Sequence, residues 1–95
     1  MIKLFVYGLL IGRYKKAIPA TLEGYAVNNF GHATIVERAG SITKGELVEV
    51  TPAELERIDE IEGFPEYYTR FKVLVQTQKG VEEAWVYQMQ RIHWR

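Results

Sequence analysis

Between Thr51 and Gly63 the chain carries a full set of helix-boundary signals, and this segment limits what the rest can build. Thr51 can cap the first turn, Pro52 suits the first helical position, and Glu54 completes a capping box. The helix runs to about Glu62 and stops at Gly63, with Pro65 beyond it. On both sides the pattern changes to short, apolar or alternating stretches typical of strands. Ile2 to Tyr7 reads as a buried strand, and Ala20 to Asn28 as a second with a bend or bulge at Gly24. Ala33 to Glu37 and Ile42 to Val50 read as two more, separated by a turn at Arg38-Ala39-Gly40-Ser41. Tyr67 to Thr77 and Val81 to Met89 form a hairpin around Gln78-Lys79-Gly80. The fold class this predicts is α+β. We expect a small, mixed but mostly antiparallel β-barrel of about six strands with one main helix packed alongside. With 95 residues, the chain supports one core and hence a single domain over 1–95.

Composition removes several function classes. Lysine and arginine number 12 and so do aspartate and glutamate, giving zero formal charge. A balance of that kind argues against a broad nucleic-acid or anionic-membrane surface. No apolar run approaches the roughly 20 residues of a spanning helix. The opening MIKLFVYG is too weakly charged and too short in its apolar part for a secretion signal, so a cytoplasmic location is the expectation. The absence of Cys excludes disulfides, thiolate metal sites and Cys nucleophiles. The chain has one serine (Ser41), one aspartate (Asp59) and two histidines (His32 and His93). Ser41 lies in a turn-like stretch without the context of a nucleophile elbow, which disfavours a Ser-His-Asp triad. Two histidines without cysteine make a poor metal site, and no phosphate-binding glycine loop is present. Glutamate supplies 11 of the 12 acidic residues, so an acid/base group here is a glutamate first.

One glutamate stands out by position. Leu55, Ile58 and Glu62 fall at i, i+3 and i+7, so they share one side of the helix. Leu55 and Ile58 are its core-facing residues, and Glu62 is therefore carried toward the core. It also sits in the last turn, where the helix dipole disfavours a further negative charge. Partial burial and the dipole both push such a carboxyl upward in pKa, toward the range a general acid/base needs. The plainer reading is an ion pair with Arg70 or Arg57 that locks the helix end. Asp59, one turn earlier, either perturbs Glu62 by like charge or is simply exposed or capping. A second feature is Tyr7-Gly8-Leu9-Leu10 at the end of the first strand. Glycine there can let the backbone approach a ligand and successive amides bind an anion, or it can simply end a strand.

LFVYGLL, followed by GELVEV, LERIDEIEGFPEYYTRFKVLV and AWVY, resembles the γ-glutamylcyclotransferase-like family, which includes γ-glutamylamine cyclotransferases and AIG2-like proteins. That family opens with Tyr-Gly-Ser/Thr-Leu and later carries a Glu-Gly-x-Pro-x-x-Tyr-x-Arg string, here Glu62 to Arg70. The likeness extends from Lys3 to about Tyr87. It implies a small barrel with a flanking helix and an intramolecular cyclisation that releases 5-oxoproline from a γ-glutamyl compound. It implies Glu62 as general base and then acid, and Tyr7, Gly8, Leu9 and Leu10 as the substrate cradle. Tyr68 matches the motif tyrosine and either borders the pocket or belongs to the core. Leu9 stands where the family has Ser or Thr. Arg70 is expected to pair with an acidic neighbour, Trp85 to be core, and Tyr87 to be a possible pocket wall. No metal or organic cofactor is implied, and the partner implied is a small γ-glutamyl substrate. Two other readings stay open: a non-catalytic member that binds a small metabolite, and an interaction module that pairs through a strand edge.

Overall fold

A computed structural model describes residues 1–29 and 33–90. Five strands, β1 (Ile2–Val6), β2 (Ile18–Asn29), β3 (Ala33–Val50), β4 (Tyr68–Thr77) and β5 (Gly80–Met89), close a barrel in the order β1-β3-β2-β4-β5. A 3-10 turn (Gly8–Leu10) follows β1, and helix α1 (Pro52–Glu62) joins β3 to β4. Neighbouring strands run antiparallel except β1 and β5, which close the barrel in parallel through Leu4 and Trp85. Lys3 of β1 bonds Glu82 of β5 beside that closure.

The fold class follows the sequence pattern, but the described residues form five strands, not about six. Residues 38–41, read above as a turn, do not reverse the chain. Glu23 pairs with Ile42 and Tyr25 with Glu37, so these four residues bulge opposite Gly24 alone. The bulge merges two predicted strands into β3, which pairs with β2 on both sides of the bulge and with β1 near its end.

Alternation within the strands sets the core. Phe5, Leu22, Ile35, Leu47, Val75 and Val86 meet inside the barrel. On the opposite side, Leu4, Val48, Val50, Tyr87 and Met89 pack with Leu55 of α1. The helix start is as the sequence dictates: Thr51 Oγ1 accepts from Glu54 N at 3.1 Å, and Thr51 N donates to Glu54 Oε1 at 2.8 Å. Its end is a Schellman motif. Gly63 adopts the left-handed conformation (φ 71°), with Gly63 N bonded to Glu60 O at 3.2 Å and Phe64 N to Asp59 O at 2.8 Å. That closure fixes where Glu62 leaves the helix. Among the described residues no helix is long and apolar enough to cross a membrane.

Candidate active site

The carboxyl-terminal end of β1 and the end of α1 open onto one cavity of about 250 Å³. Phe5 and Val6 enter it from β1, Tyr7 from the position just after β1, Leu10 and Arg13 from the turn that follows, and Ala33 from the start of β3. Glu62 enters from the helix end, Tyr68 from the start of β4 and Tyr87 from β5. The volume lies below the roughly 300–1,000 Å³ of drug-sized sites, so a small metabolite is the appropriate guest.

The turn after β1 depends on Gly8, whose φ of 63° is a conformation other residues rarely adopt. Leu10 N bonds Tyr7 O at 3.4 Å, Ile11 N bonds Gly8 O at 3.2 Å, and Arg13 N bonds Leu10 O at 3.3 Å. Gly12 N donates to Glu46 Oε1 of β3 at 2.9 Å. These bonds commit the amides of residues 10–13, so anion binding by the turn would fall to the amides of Gly8 and Leu9. The side chain of Leu9 lies outside the described structure, as do His32 and His93.

Three phenols wall the cavity, and each spends its hydrogen on the protein. Tyr7 Oη donates to Tyr87 O at 2.6 Å, Tyr68 Oη to Ala33 O at 2.8 Å, and Tyr87 Oη to Asp59 Oδ1 at 2.5 Å. Burial is the leading cause that raises the pKa of all three, and the charge of Glu62 raises them further. Tyr14, outside the lining, is raised by burial and then by Glu54 and Glu62. The phenols are therefore neutral at ordinary pH. Among the described lining residues Glu62 is the only carboxyl and Arg13 the only cation.

Arg70 is committed elsewhere. Its Nε and Nη2 reach the two Asp59 oxygens at 2.9 and 3.0 Å, and its guanidinium lies 4.9 Å from the Phe64 ring and 4.5 Å from the Trp85 ring. Burial pushes the Asp59 carboxyl up. Hydrogen bonds from Arg70 and Tyr87, with the Arg70 charge, outweigh it and hold the group below its ordinary value. Asp59 is thus neither exposed nor a cap: it clamps the helix end to β4 and β5.

Of the residues singled out from sequence, the cavity joins Tyr7, Leu10, Tyr68 and Glu62. Tyr87 is a wall, as its strand position allowed. Arg13, Ala33, Phe5 and Val6 were not anticipated. Phe5 and Val6 look like ordinary strand residues, and Arg13 sits in a loop with no periodicity to betray its direction. Among the described residues no group of three or more His, Asp or Glu could hold a metal ion.

The sequence profile of the family described as γ-glutamyl cyclotransferase, AIG2-like, matches residues 4–94. A Methanocaldococcus jannaschii protein, whose name carries a provisional assignment as a γ-glutamylcyclotransferase, is 43% identical over 70 residues. That alignment covers 70% of this chain and 58% of the relative, so the match spans little over half of the relative's length. An uncharacterised Pyrococcus horikoshii protein of known crystal structure is 28% identical, with a TM-score of 0.67, covering 94% of this chain and 78% of that one. A Mus musculus AIG2-like protein shares the fold at a TM-score of 0.78 and 20% identity, covering 94% of this chain and 77% of that one.

Proposed function

Because the chain belongs to the γ-glutamyl cyclotransferase, AIG2-like family, we propose that it cyclises a small γ-glutamyl compound to 5-oxoproline, with Glu62 as the general acid/base. The observation that carries this reading is that Glu62 and the turn after β1 line the same cavity, although they lie far apart in the sequence.

The chemistry follows from the groups present. The free α-amine of the substrate attacks its own γ-carbonyl carbon and forms the new C–N bond of a five-membered ring. Glu62 takes a proton from the attacking nitrogen and returns one to the departing nitrogen as the old amide bond breaks. Atoms balance without water: the products are 5-oxoproline and the released amine. No other described lining residue suits this proton transfer, because the phenols are held neutral and the guanidinium of Arg13 offers donors and no acceptor. The oxyanion formed at the γ-carbonyl is left to backbone amides of the turn that Gly8 makes possible and whose Leu10 lines the cavity. Leu10, Tyr68 and the β1 wall restrict the substrate to a folded shape, which brings amine and carbonyl into near-attack contact.

The test is a panel of γ-glutamyl amines and γ-glutamyl amino acids incubated with the purified chain, with 5-oxoproline followed by mass spectrometry. The reading predicts enzyme-dependent release from at least one of them. Release no faster than the uncatalysed background across the panel would leave a binding protein in its place.

A further inference from the structure

Arg13 has no part in the proton transfer described above, yet it is the one cation among the described residues of the cavity wall. Its backbone is held by the bond from Arg13 N to Leu10 O, and its neighbour Gly12 is tied to Glu46. An ordered turn therefore delivers the guanidinium. The residue is exposed while Glu62 is half-buried, so Arg13 stands where the cavity meets solvent. Both charges act on one phenol: after burial and Glu54, Glu62 raises the pKa of Tyr14 and Arg13 lowers it.

The donors of the wall decide what Arg13 can do. The hydrogens of Tyr7, Tyr68 and Tyr87 are spent on protein acceptors. Phe5, Val6, Leu10 and Ala33 have no polar side-chain atom. A guanidinium carries five N–H donors in a fork that fits a carboxylate, so it can grip one in addition to contacts within the protein. In a cyclising substrate the γ-glutamyl head must lie at Glu62, and the substituent on the amide nitrogen continues toward the open side.

Resting on the cyclotransferase reading of this site, we propose that Arg13 is a specificity-determining residue that binds a carboxylate on the leaving amine. The favoured substrates are then γ-glutamyl α-amino acids, ahead of γ-glutamyl derivatives of uncharged amines.

The probes are γ-glutamyl-alanine and γ-glutamyl-isopropylamide, in which a methyl group replaces the alanine carboxylate. Binding is measured by calorimetry on the full chain carrying Glu62→Gln, which blocks turnover, with and without Arg13→Gln. The dipeptide is expected to bind about 10- to 100-fold tighter than the amide, the range of a charge-assisted contact. Arg13→Gln removes that advantage by weakening the dipeptide alone, and Arg13→Lys keeps part of it by keeping the charge without the fork. Equal weakening of both probes would put Arg13 on the shared α-carboxylate and overturn the proposal. So would no change, or no binding of either probe. Release of 5-oxoproline from the chain with Glu62 intact is read separately. Release without Arg13 selectivity sinks this inference and leaves the cyclotransferase reading standing; selective binding without release sinks the cyclotransferase reading, and with it a leaving amine for Arg13 to select.

Discussion

Tyr87 Oη donates to Asp59 Oδ1 at 2.5 Å, so a wall residue of the cavity is tied directly to the helix turn that precedes Glu62. Arg70 completes the tie by gripping both oxygens of the same carboxylate. The position of the proposed acid/base group is thus set by a clamp whose charged members, Asp59 and Arg70, are not among the described lining residues. This relationship explains why the Glu-Gly-x-Pro-x-x-Tyr-x-Arg string and the preceding Asp59 act as one unit. The string carries Glu62 and the means of holding it.

Asp59→Asn should therefore weaken the fold by about 1–3 kcal/mol at neutral pH, because the Arg70 charge loses its partner. The pH dependence has a definite sign. The folded carboxyl sits below its ordinary value of 3.8, so its stabilisation is complete above that pH and drains away as pH falls through the lowered value. Urea melts of wild type and variant should differ most above about pH 4 and converge in stronger acid. A gap that widens as pH falls would rule the clamp out.

Gly63→Ala places a side chain in a left-handed position, where its Cβ would meet Tyr67 Cβ at 3.0 Å. A cost of about 1 kcal/mol is expected from backbone conformation alone. Since Gly63 ends the helix just after Glu62, turnover should fall further than stability predicts. Thermal melting and kcat measured on the same preparation check this; a melt that drops with kcat unchanged would show that the helix end does not orient Glu62.

Legibility in the sequence followed the range of the forces involved. The ends of α1 were readable because the Thr51–Glu54 box and the Gly63 cap act within a few residues. The side of α1 that carries Leu55 and Glu62 was readable from helical spacing, and Leu55 is indeed buried. The bulge at residues 38–41 was not, because a local turn and a bulge share glycine and small polar residues; only pairing with β2 distinguishes them. Arg13 was illegible for a related reason: a loop side chain takes its direction from bonds such as Gly12 to Glu46, which no local pattern announces. The likeness to a family located Glu62 and Tyr7, but their meeting across one cavity required the closed barrel.

Gly45→Ala tests how closely β3 must approach β1. A Cβ at Gly45 would lie 2.2 Å from Val6 O and 2.8 Å from Phe5 Cζ, so backbone has to move. Overpacking of this kind costs about 1–3 kcal/mol. Phe5 and Val6 also line the cavity, so a loss of ligand affinity should accompany the loss of stability. Chemical denaturation and calorimetry read the two effects; wild-type stability in the variant would show that the strands separate freely here.

The central claim rests on the carboxyl of Glu62, and Glu62→Gln addresses it most directly. The substitution keeps the shape of the side chain and removes its ability to carry a proton between the two nitrogens. With a γ-glutamyl compound that the wild type turns over, kcat for 5-oxoproline release should fall about 100- to 10,000-fold while the melting temperature stays close to wild type. Release at the wild-type rate by the folded variant would contradict the account.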